Sequence, residues 1–224
     1  MNEMIRLSDV VEFAHNPDPR CPCILLLDTS SSMQGDPIKA LNDGLRRFKE
    51  DLMRDNLAVK RVEVAVVTFD SEVRVIQDFV TPDDFIPPVL TAQGLTHTAS
   101  GIKKALDLIQ ERKQVYRDND ILYYRPWIFL ITDGEPQGES GYVVDQAMRR
   151  IAEQEDQKRI AFFSVGVGNV NMERLAQIST RTPVQLDGLK FNELFAWLSA
   201  SMAKVSQSKT DEQVALPPPG WIVI

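Results

Sequence analysis

Hydroxyl and carboxyl side chains alternate at one point of the chain, directly after an apolar run. In the segment CILLLDTSSSM, residues 23–27 are apolar, and Asp28, Ser30 and Ser32 follow at intervals of two. Alternate residues of an extended segment point to the same side, so this spacing would gather three oxygen-bearing side chains. Such a group of oxygens either binds a hard cation or caps the helix that follows it.

Two further segments offer oxygen ligands where predicted elements begin or end. Asp133 follows the apolar run of PWIFLITDGEP, and Thr96 and Thr98 lie in GLTHTASGI, just before a helical pattern. Ligands of open α/β sheets bind outside the carboxyl ends of the strands, so we expect the three segments to meet there. Taken singly, each segment is better explained by a capping serine or by a turn after a strand. Together they predict one cation site, formed by Asp28, Ser30, Ser32, Thr96 and Asp133.

The identity of the cation follows from the ligand atoms. All of them are hydroxyl or carboxylate oxygens, which suit Mg²⁺, Mn²⁺ or Ca²⁺ rather than zinc or copper. Zinc requires about four nitrogen or sulfur ligands, and the chain has two Cys and two His. We therefore expect Mg²⁺, with Mn²⁺ or Ca²⁺ as alternatives. The pair Cys21 and Cys23 predicts no disulfide framework, and Cys23 is expected to be a small buried side chain.

The elements that must position these residues are predicted from periodicity. Short apolar runs predict strands at residues 23–27, 61–70, 127–132 and 159–168, and the alternating segment 72–79 predicts a strand at a sheet edge. Segments of helical period lie between them, the first with Ile38, Leu41, Leu45, Phe48 and Leu52 on one face. We expect Asp36 to cap this helix and Pro37 to begin it. The pattern predicts an α/β fold: a doubly wound, mostly parallel sheet flanked by helices, with one antiparallel edge strand.

Composition excludes several classes of protein. The chain has 224 residues and a net charge of −7, which argues against a nucleic-acid partner. No run approaches the roughly 18 apolar residues of a membrane span, and residues 1–20 lack a signal core, so a cytoplasmic protein is expected. We divide the chain into an N-terminal extension (1–19), a domain (20–206) and a Pro-rich tail (207–224).

These motifs resemble those of a known family. DTSSSM, GLTHTASGI and LITDGEP resemble, in order and spacing, the three metal-binding loops of von Willebrand factor A (VWA) domains. The resemblance implies a metal-ion-dependent adhesion site (MIDAS). Ser30 and Ser32 would contact the cation directly, Thr96 directly or through water, and Asp28 and Asp133 largely through waters. Thr98 would then be left to cap the following helix.

The same resemblance implies how such a site is used. The open coordination position would take an Asp or Glu carboxylate from another protein. His97 and Glu135 are expected on the rim that meets this partner, the alternative for each being an ordinary loop residue. The chain would thus be a protein-interaction module and not an enzyme.

The C-terminal segments resemble one branch of the family. FNELFAWLSASMAKVSQS followed by ALPPPGW resembles bacterial tellurium-resistance-associated VWA proteins of the TerY type. That implies a stress-response adaptor in a tellurite-resistance system, with an associated protein kinase and phosphatase as partners. We expect these apolar residues of the tail to pack onto the domain: Trp221, Ile222 and Ile224. The alternative is that a partner protein binds them.

A metal-dependent phosphoesterase or phosphotransferase is the alternative function. Phosphotransferases of the haloacid dehalogenase type also place an Asp at a strand exit, but they need a second Asp two residues later, where this chain has Ser30. Only His15 and His97 could serve a serine nucleophile as base, and neither lies in a Gly-x-Ser-x-Gly setting. A Walker loop is also absent from the sequence.

Overall fold

The computed structural model describes residues 13–210 and 212–222. Its centre is a six-stranded sheet of β1 (Cys21–Asp28), β2 (Val62–Phe69), β3 (Val73–Val80), β4 (Trp127–Thr132), β5 (Ala161–Gly166) and β6 (Val184–Gln185). The strand order is β3-β2-β1-β4-β5-β6. β3 pairs antiparallel with β2 at one edge, and the other pairs are parallel. The predicted fold class, including its antiparallel edge strand, is confirmed.

Helices connect the strands and cover both faces of the sheet. They are α1 (Asp36–Leu52), α2 (Ala58–Arg61), α3 (Thr98–Asp118), α4 (Gly141–Asp156), α5 (Met172–Ile178) and α6 (Phe191–Ser206), with a 3₁₀ turn at Ser31–Met33. The apolar stripe predicted for the first helix is buried throughout. Among residues 13–210 and 212–222, no helix has the length and apolar character that crossing a membrane requires.

The central strand β1 contributes to two separate cores, which explains its uninterrupted apolar sequence. Leu25 and Leu27 pack into the cluster that α1 and α6 cover. Ile24 and Leu26 pack into the cluster on the opposite face, with residues of α3 and α4. A strand buried on both faces needs apolar residues at every position, since its side chains alternate between the faces. Cys23 is likewise buried, as predicted, and both cysteines are free.

The strand order reverses between β1 and β4. From β1 the chain moves outward to β2 and β3, and it later returns through β4 to build the other half of the sheet. The loops that leave β1 and β4 therefore diverge and open a crevice at their carboxyl ends. Asp28 is the last residue of β1, and Asp133 follows the last residue of β4. Both predicted carboxylates thus lie at this crevice.

The start of α1 differs from the prediction. Asp36 is its first helical residue rather than its cap, and Gly35 occupies the cap position with φ of 91°. This backbone conformation suits glycine, which has no Cβ to clash. Pro37 is therefore the second helical residue rather than the first, and its missing N–H still costs no helical hydrogen bond there.

The C-terminal tail packs onto the domain, as predicted. Trp221 is buried, and its ring meets that of Trp197 of α6 edge to face at 5.6 Å. The Trp197 indole N–H donates to the Pro217 carbonyl at 2.7 Å, and Ile222 forms a β-bridge with Leu186. Ile224, which belongs to the same prediction, lies outside the described residues.

Candidate metal site

Asp28 shapes the loop that follows β1. It is completely buried, and its Oδ1 accepts a hydrogen bond from the Ser30 backbone N–H at 2.8 Å. Its Oδ2 accepts from the Thr132 hydroxyl at 2.5 Å, which links β1 to β4. Burial raises the pKa of Asp28 to about 6, although these hydrogen bonds lower it. Holding this carboxylate ionised therefore costs free energy, which a nearby cation would offset.

The serine loop brings two hydroxyls together. Ser30 Oγ lies 3.0 Å from Ser32 Oγ, and Ser32 donates to Oδ1 of Asp133 at 2.7 Å. The contact arises from the 3₁₀ turn at Ser31–Met33 and not, as predicted, from an extended segment. The capping alternative is wrong, because Ser30 makes no side-chain cap bond and Gly35 is the cap of α1.

Thr96 reaches the same place from a third loop. Its side chain is buried beside Gly134, where an added Cβ would lie 3.6 Å from Thr96 Oγ1 and 3.9 Å from Ser32 Oγ. The Gln137 N–H donates to the Thr96 carbonyl at 2.9 Å and ties this loop to the one that carries Asp133. The structure therefore brings the five predicted site residues together at one edge of the sheet.

Thr98 does not cap α3, contrary to the prediction. It is itself the first helical residue, and within the described residues its buried hydroxyl has no hydrogen-bond partner. The free N–H groups of the helix are bound instead by Glu139, whose carboxylate accepts from Ala99 N and Ser100 N, both at 2.8 Å. Ser100 Oγ also donates to Glu139, at 2.6 Å. The cap is thus supplied from a distant loop.

The two predicted rim residues lie beside this site. His97 is half-buried, and its Nε2 lies 2.8 Å from the position of a Cβ added to Gly138. Glu135 is 45% exposed, and its Oε2 is 3.9 Å from Nε of Arg174. A cavity of about 340 Å³ opens next to Glu135, with Val144 and further residues of α4 and α5 in its walls. His97 directly follows Thr96 in the chain, and Glu135 lies two residues after Asp133.

The donor set fits a small hard cation. Oxygen ligands about 2.0–2.1 Å from Mg²⁺ in octahedral geometry lie roughly 2.9 Å apart along an edge, close to the 3.0 Å between Ser30 Oγ and Ser32 Oγ. Asp133 is half-buried, and desolvation raises its pKa, as it does that of Asp28. Among the described residues no cluster of three or more His, Cys, Asp or Glu exists that could hold a metal. A cation here would therefore rely on the neutral hydroxyls as well as the two carboxylates.

Two residues that support the site were not predicted from the sequence. Thr132 directly precedes Asp133, and its bond to Asp28 depends on the pairing of β1 with β4. Had we predicted that pairing, the hydroxyl at a strand end would have indicated its role. Glu139 contacts residues 39 and 40 positions earlier in the chain. No local sequence signal identifies such a contact.

Fold and site together define an α/β domain with an oxygen-lined crevice at its topological switch point. The sequence profile of the von Willebrand factor type A domain matches residues 23–192. The chain therefore belongs to this family, whose members often act as metal-dependent protein-interaction modules. Comparison with curated protein sequences gives no significant match.

Several solved structures share the fold at low sequence identity. A von Willebrand factor type A protein from Catenulispora acidiphila is 16% identical, with a TM-score of 0.63, over 83% of this chain and 43% of that one. The pilus adhesin SpaC of Lactobacillus rhamnosus GG, in an open conformation, is 12% identical, with a TM-score of 0.65, over 83% of this chain and 30% of the adhesin.

A third similar structure contains a metal ion. Proximal thread matrix protein 1 of the mussel byssus, with a zinc-occupied MIDAS motif, is 15% identical, with a TM-score of 0.53, over 82% of this chain and 47% of that one. This chain thus spans less than half the length of each of the three proteins. At these identities the likeness shows the fold alone.

Proposed function

We propose that this protein is a metal-ion-dependent interaction module that binds a carboxylate of another protein through a divalent cation. The observation that carries the proposal is the convergence of oxygen atoms from three loops, with Ser30 Oγ and Ser32 Oγ 3.0 Å apart. Ser30, Ser32 and Thr96 would supply hydroxyl ligands. Asp28 and Asp133 would act mainly through water. Mg²⁺ is the proposed cation, with Mn²⁺ or Ca²⁺ as alternatives.

The charge of the ligand set supports a bridging role. A bound divalent cation supplies positive charge and coordination positions that an incoming oxygen can fill. Asp28 and Asp133 balance that charge, while the three hydroxyls add none. Both carboxylate oxygens of Asp28 already accept hydrogen bonds, from Ser30 N and from Thr132 Oγ1. The proposed role of Asp28 is therefore to shape the loop and to provide negative charge. A partner's Asp or Glu can then complete the coordination.

His97 and Glu135 are proposed as the rim that such a partner touches. His97 lies in the loop of Thr96 and Glu135 in the loop of Asp133, where Glu135 is 45% exposed beside a cavity. We expect Glu135→Ala to change which partners bind while it leaves metal affinity in place.

Catalysis is not part of the proposed function. Ser30 occupies the position where a phosphotransferase would need its second acid, and its hydroxyl contacts Ser32 rather than a base. The test is hydrolysis of a generic aryl phosphate with Mg²⁺. Metal-dependent turnover that disappears in Asp28→Asn would establish the phosphoesterase alternative.

A narrower proposal follows from the resemblance of α6 and the tail to tellurium-resistance proteins. We propose a cytoplasmic adaptor in a bacterial tellurite-resistance or stress response, with a protein kinase and a phosphatase as partners. Deleting the gene in its native host should lower tellurite tolerance, and cell fractionation should recover the protein with the cytoplasm. Unchanged tolerance would reject this role and leave the metal site unaffected.

The central proposal is tested by affinity capture from the native cell in Mg²⁺ and in EDTA. Proteins retained only in Mg²⁺ should also be lost with Thr96→Ala, which removes one proposed ligand. Weakening the metal-bridged contact with the partner's carboxylate should cost on the order of 2–5 kcal/mol, as for buried charge pairs, enough to eliminate a micromolar complex. In the Thr96→Ala background, replacing the partner's key Asp or Glu by its amide should then lower the binding free energy only a little further. Strictly additive losses of binding free energy would show that the Thr96 hydroxyl and the partner's carboxylate do not meet at one cation.

A further inference from the structure

Two of the metal-binding loops run side by side and are fastened at several points. Gly134 lies against the Thr96 hydroxyl, and the Gln137 N–H donates to the Thr96 carbonyl. Gly138, with φ of 80°, passes so close to the His97 ring that a Cβ would lie 2.8 Å from Nε2. Residues 134, 137, 138 and 139 thus each contact the segment 96–100.

Glu139 provides the strongest of these contacts. It accepts three hydrogen bonds of 2.6–2.8 Å, from the N–H groups of Ala99 and Ser100 and from the Ser100 hydroxyl. The N–H groups belong to the first turn of α3, where the helix dipole favours a negative charge. Thr98, which could have capped the helix locally, leaves its hydroxyl without a partner among the described residues.

We propose that Glu139 is a positioning residue for the cation site. By fastening the loop of Asp133 to the start of α3, it fixes the separation between the oxygens of Asp133 and Thr96. This inference rests on the metal site proposed above. It goes further because Glu139 touches none of the proposed ligands' oxygens and yet sets their geometry. Residues that orient metal ligands typically change metal affinity by about 10–100-fold when they are removed.

The test is calorimetric titration of Mg²⁺ alone into the full chain, well below its unfolding temperature. Glu139→Ala should weaken Mg²⁺ binding by about tenfold or more. Glu139→Gln keeps the shape and one acceptor oxygen, so its affinity should lie between those of Glu139→Ala and the wild type. Adding Ser100→Ala to Glu139→Ala should lower Mg²⁺ affinity little further, because the two side chains form one interaction with each other.

Two control variants separate positioning from other effects. Asn171→Ala removes another side-chain helix cap, the acceptor of the Arg174 N–H at 3.1 Å, from a helix that carries none of the proposed ligands. Glu111→Ala removes the same charge from an exposed position of α3, roughly 16 Å further along the helix axis. Both controls should bind Mg²⁺ as the wild type does, even where Asn171→Ala lowers the unfolding temperature.

The outcomes are distinct. Failure of the wild type to bind Mg²⁺ overturns the proposed function and this inference with it. Wild-type binding with unchanged affinity in Glu139→Ala overturns the inference alone, as does an equal loss in Glu111→Ala. If Glu139→Ala does not fold, Glu139→Gln and Ser100→Ala decide the matter. A weaker affinity in both supports the positioning role, and wild-type affinity in both overturns it.

Discussion

Ser32 donates its hydroxyl to Oδ1 of Asp133 at 2.7 Å, across 101 residues of chain. The bond joins the loop after β1 to the loop after β4 at the point where the strand order reverses. Both atoms are proposed to serve the same cation, Ser32 directly and Asp133 through water. The fold therefore holds these two side chains within hydrogen-bonding distance of each other.

Removing the Ser32 hydroxyl should lower Mg²⁺ affinity far more than removing the hydroxyl of its neighbour Ser31. Ser32→Ala removes a proposed ligand and should lower Mg²⁺ affinity at least about tenfold, or about 1.4 kcal/mol of metal-dependent stabilisation. The matched control is Ser31→Ala, because Ser31 is exposed and its backbone hydrogen bonds remain in the variant. Thermal unfolding with and without Mg²⁺ measures both. Equal effects of the two substitutions would contradict the assignment of Ser32.

Replacing the buried acid should separate stability from metal binding. Asp28→Asn removes a charge whose burial raises the pKa from 3.8 to about 6. Since one pKa unit corresponds to about 1.4 kcal/mol, the metal-free variant should gain on the order of 1–3 kcal/mol at neutral pH. Its response to Mg²⁺ should disappear. A less stable variant that still responds to Mg²⁺ would show that Asp28 has a different role.

The response to Mg²⁺ should depend on pH in a defined direction. Without metal, Asp28 is protonated more readily in the folded protein than in the unfolded chain, because its folded pKa is raised to about 6. Its contribution to stability therefore falls as the pH rises from about 4 to about 6 and stays low above that range. Because a cation binds the ionised form, metal-dependent stabilisation should show the opposite trend.

Thermal unfolding with and without Mg²⁺ should show this as a stabilisation that is complete near pH 7.5 and mostly lost by about pH 5. The same series on Asp28→Asn identifies the part of the pH dependence that belongs to this carboxyl. A Mg²⁺ effect that is constant across this range would contradict a ligand set that includes Asp28.

The alternation of strands and helices could be predicted, because the apolar residues of buried strands and of amphipathic helices repeat with distinct periods. The predicted order of these elements agrees with the topology of the sheet. The proximity of Asp28 and Asp133 could likewise be predicted, since the carboxyl ends of parallel strands share one edge of the sheet. The caps could not. The caps of α1 and α3 depend on a glycine backbone angle at Gly35 and on Glu139, 40 residues from Ala99. The first is a local backbone conformation and the second a long-range contact, and neither leaves a periodic signal in the sequence.

The tail should be part of the folded domain. Trp221 is 2% exposed, so Trp221→Ala should lower the free energy of unfolding by about 3–5 kcal/mol through the cavity it leaves. Trp197→Phe removes the hydrogen bond to Pro217 O and part of the ring that packs against Trp221, and it should cost at least about 1 kcal/mol. Chemical denaturation measures both, and Mg²⁺ affinity should stay unchanged in each. A loss below about 1 kcal/mol for Trp221→Ala would mean that the tail is not docked in solution.

The most direct test of the cation site is a crystal structure with Mn²⁺, located by its anomalous scattering. We predict one strong peak within about 2.2 Å of both Ser30 Oγ and Ser32 Oγ, with Thr96 and the two carboxylates around it. The peak should vanish in crystals of the Ser30→Ala, Ser32→Ala double variant. A wild-type crystal in saturating Mn²⁺ without a peak between these two hydroxyls would contradict the account.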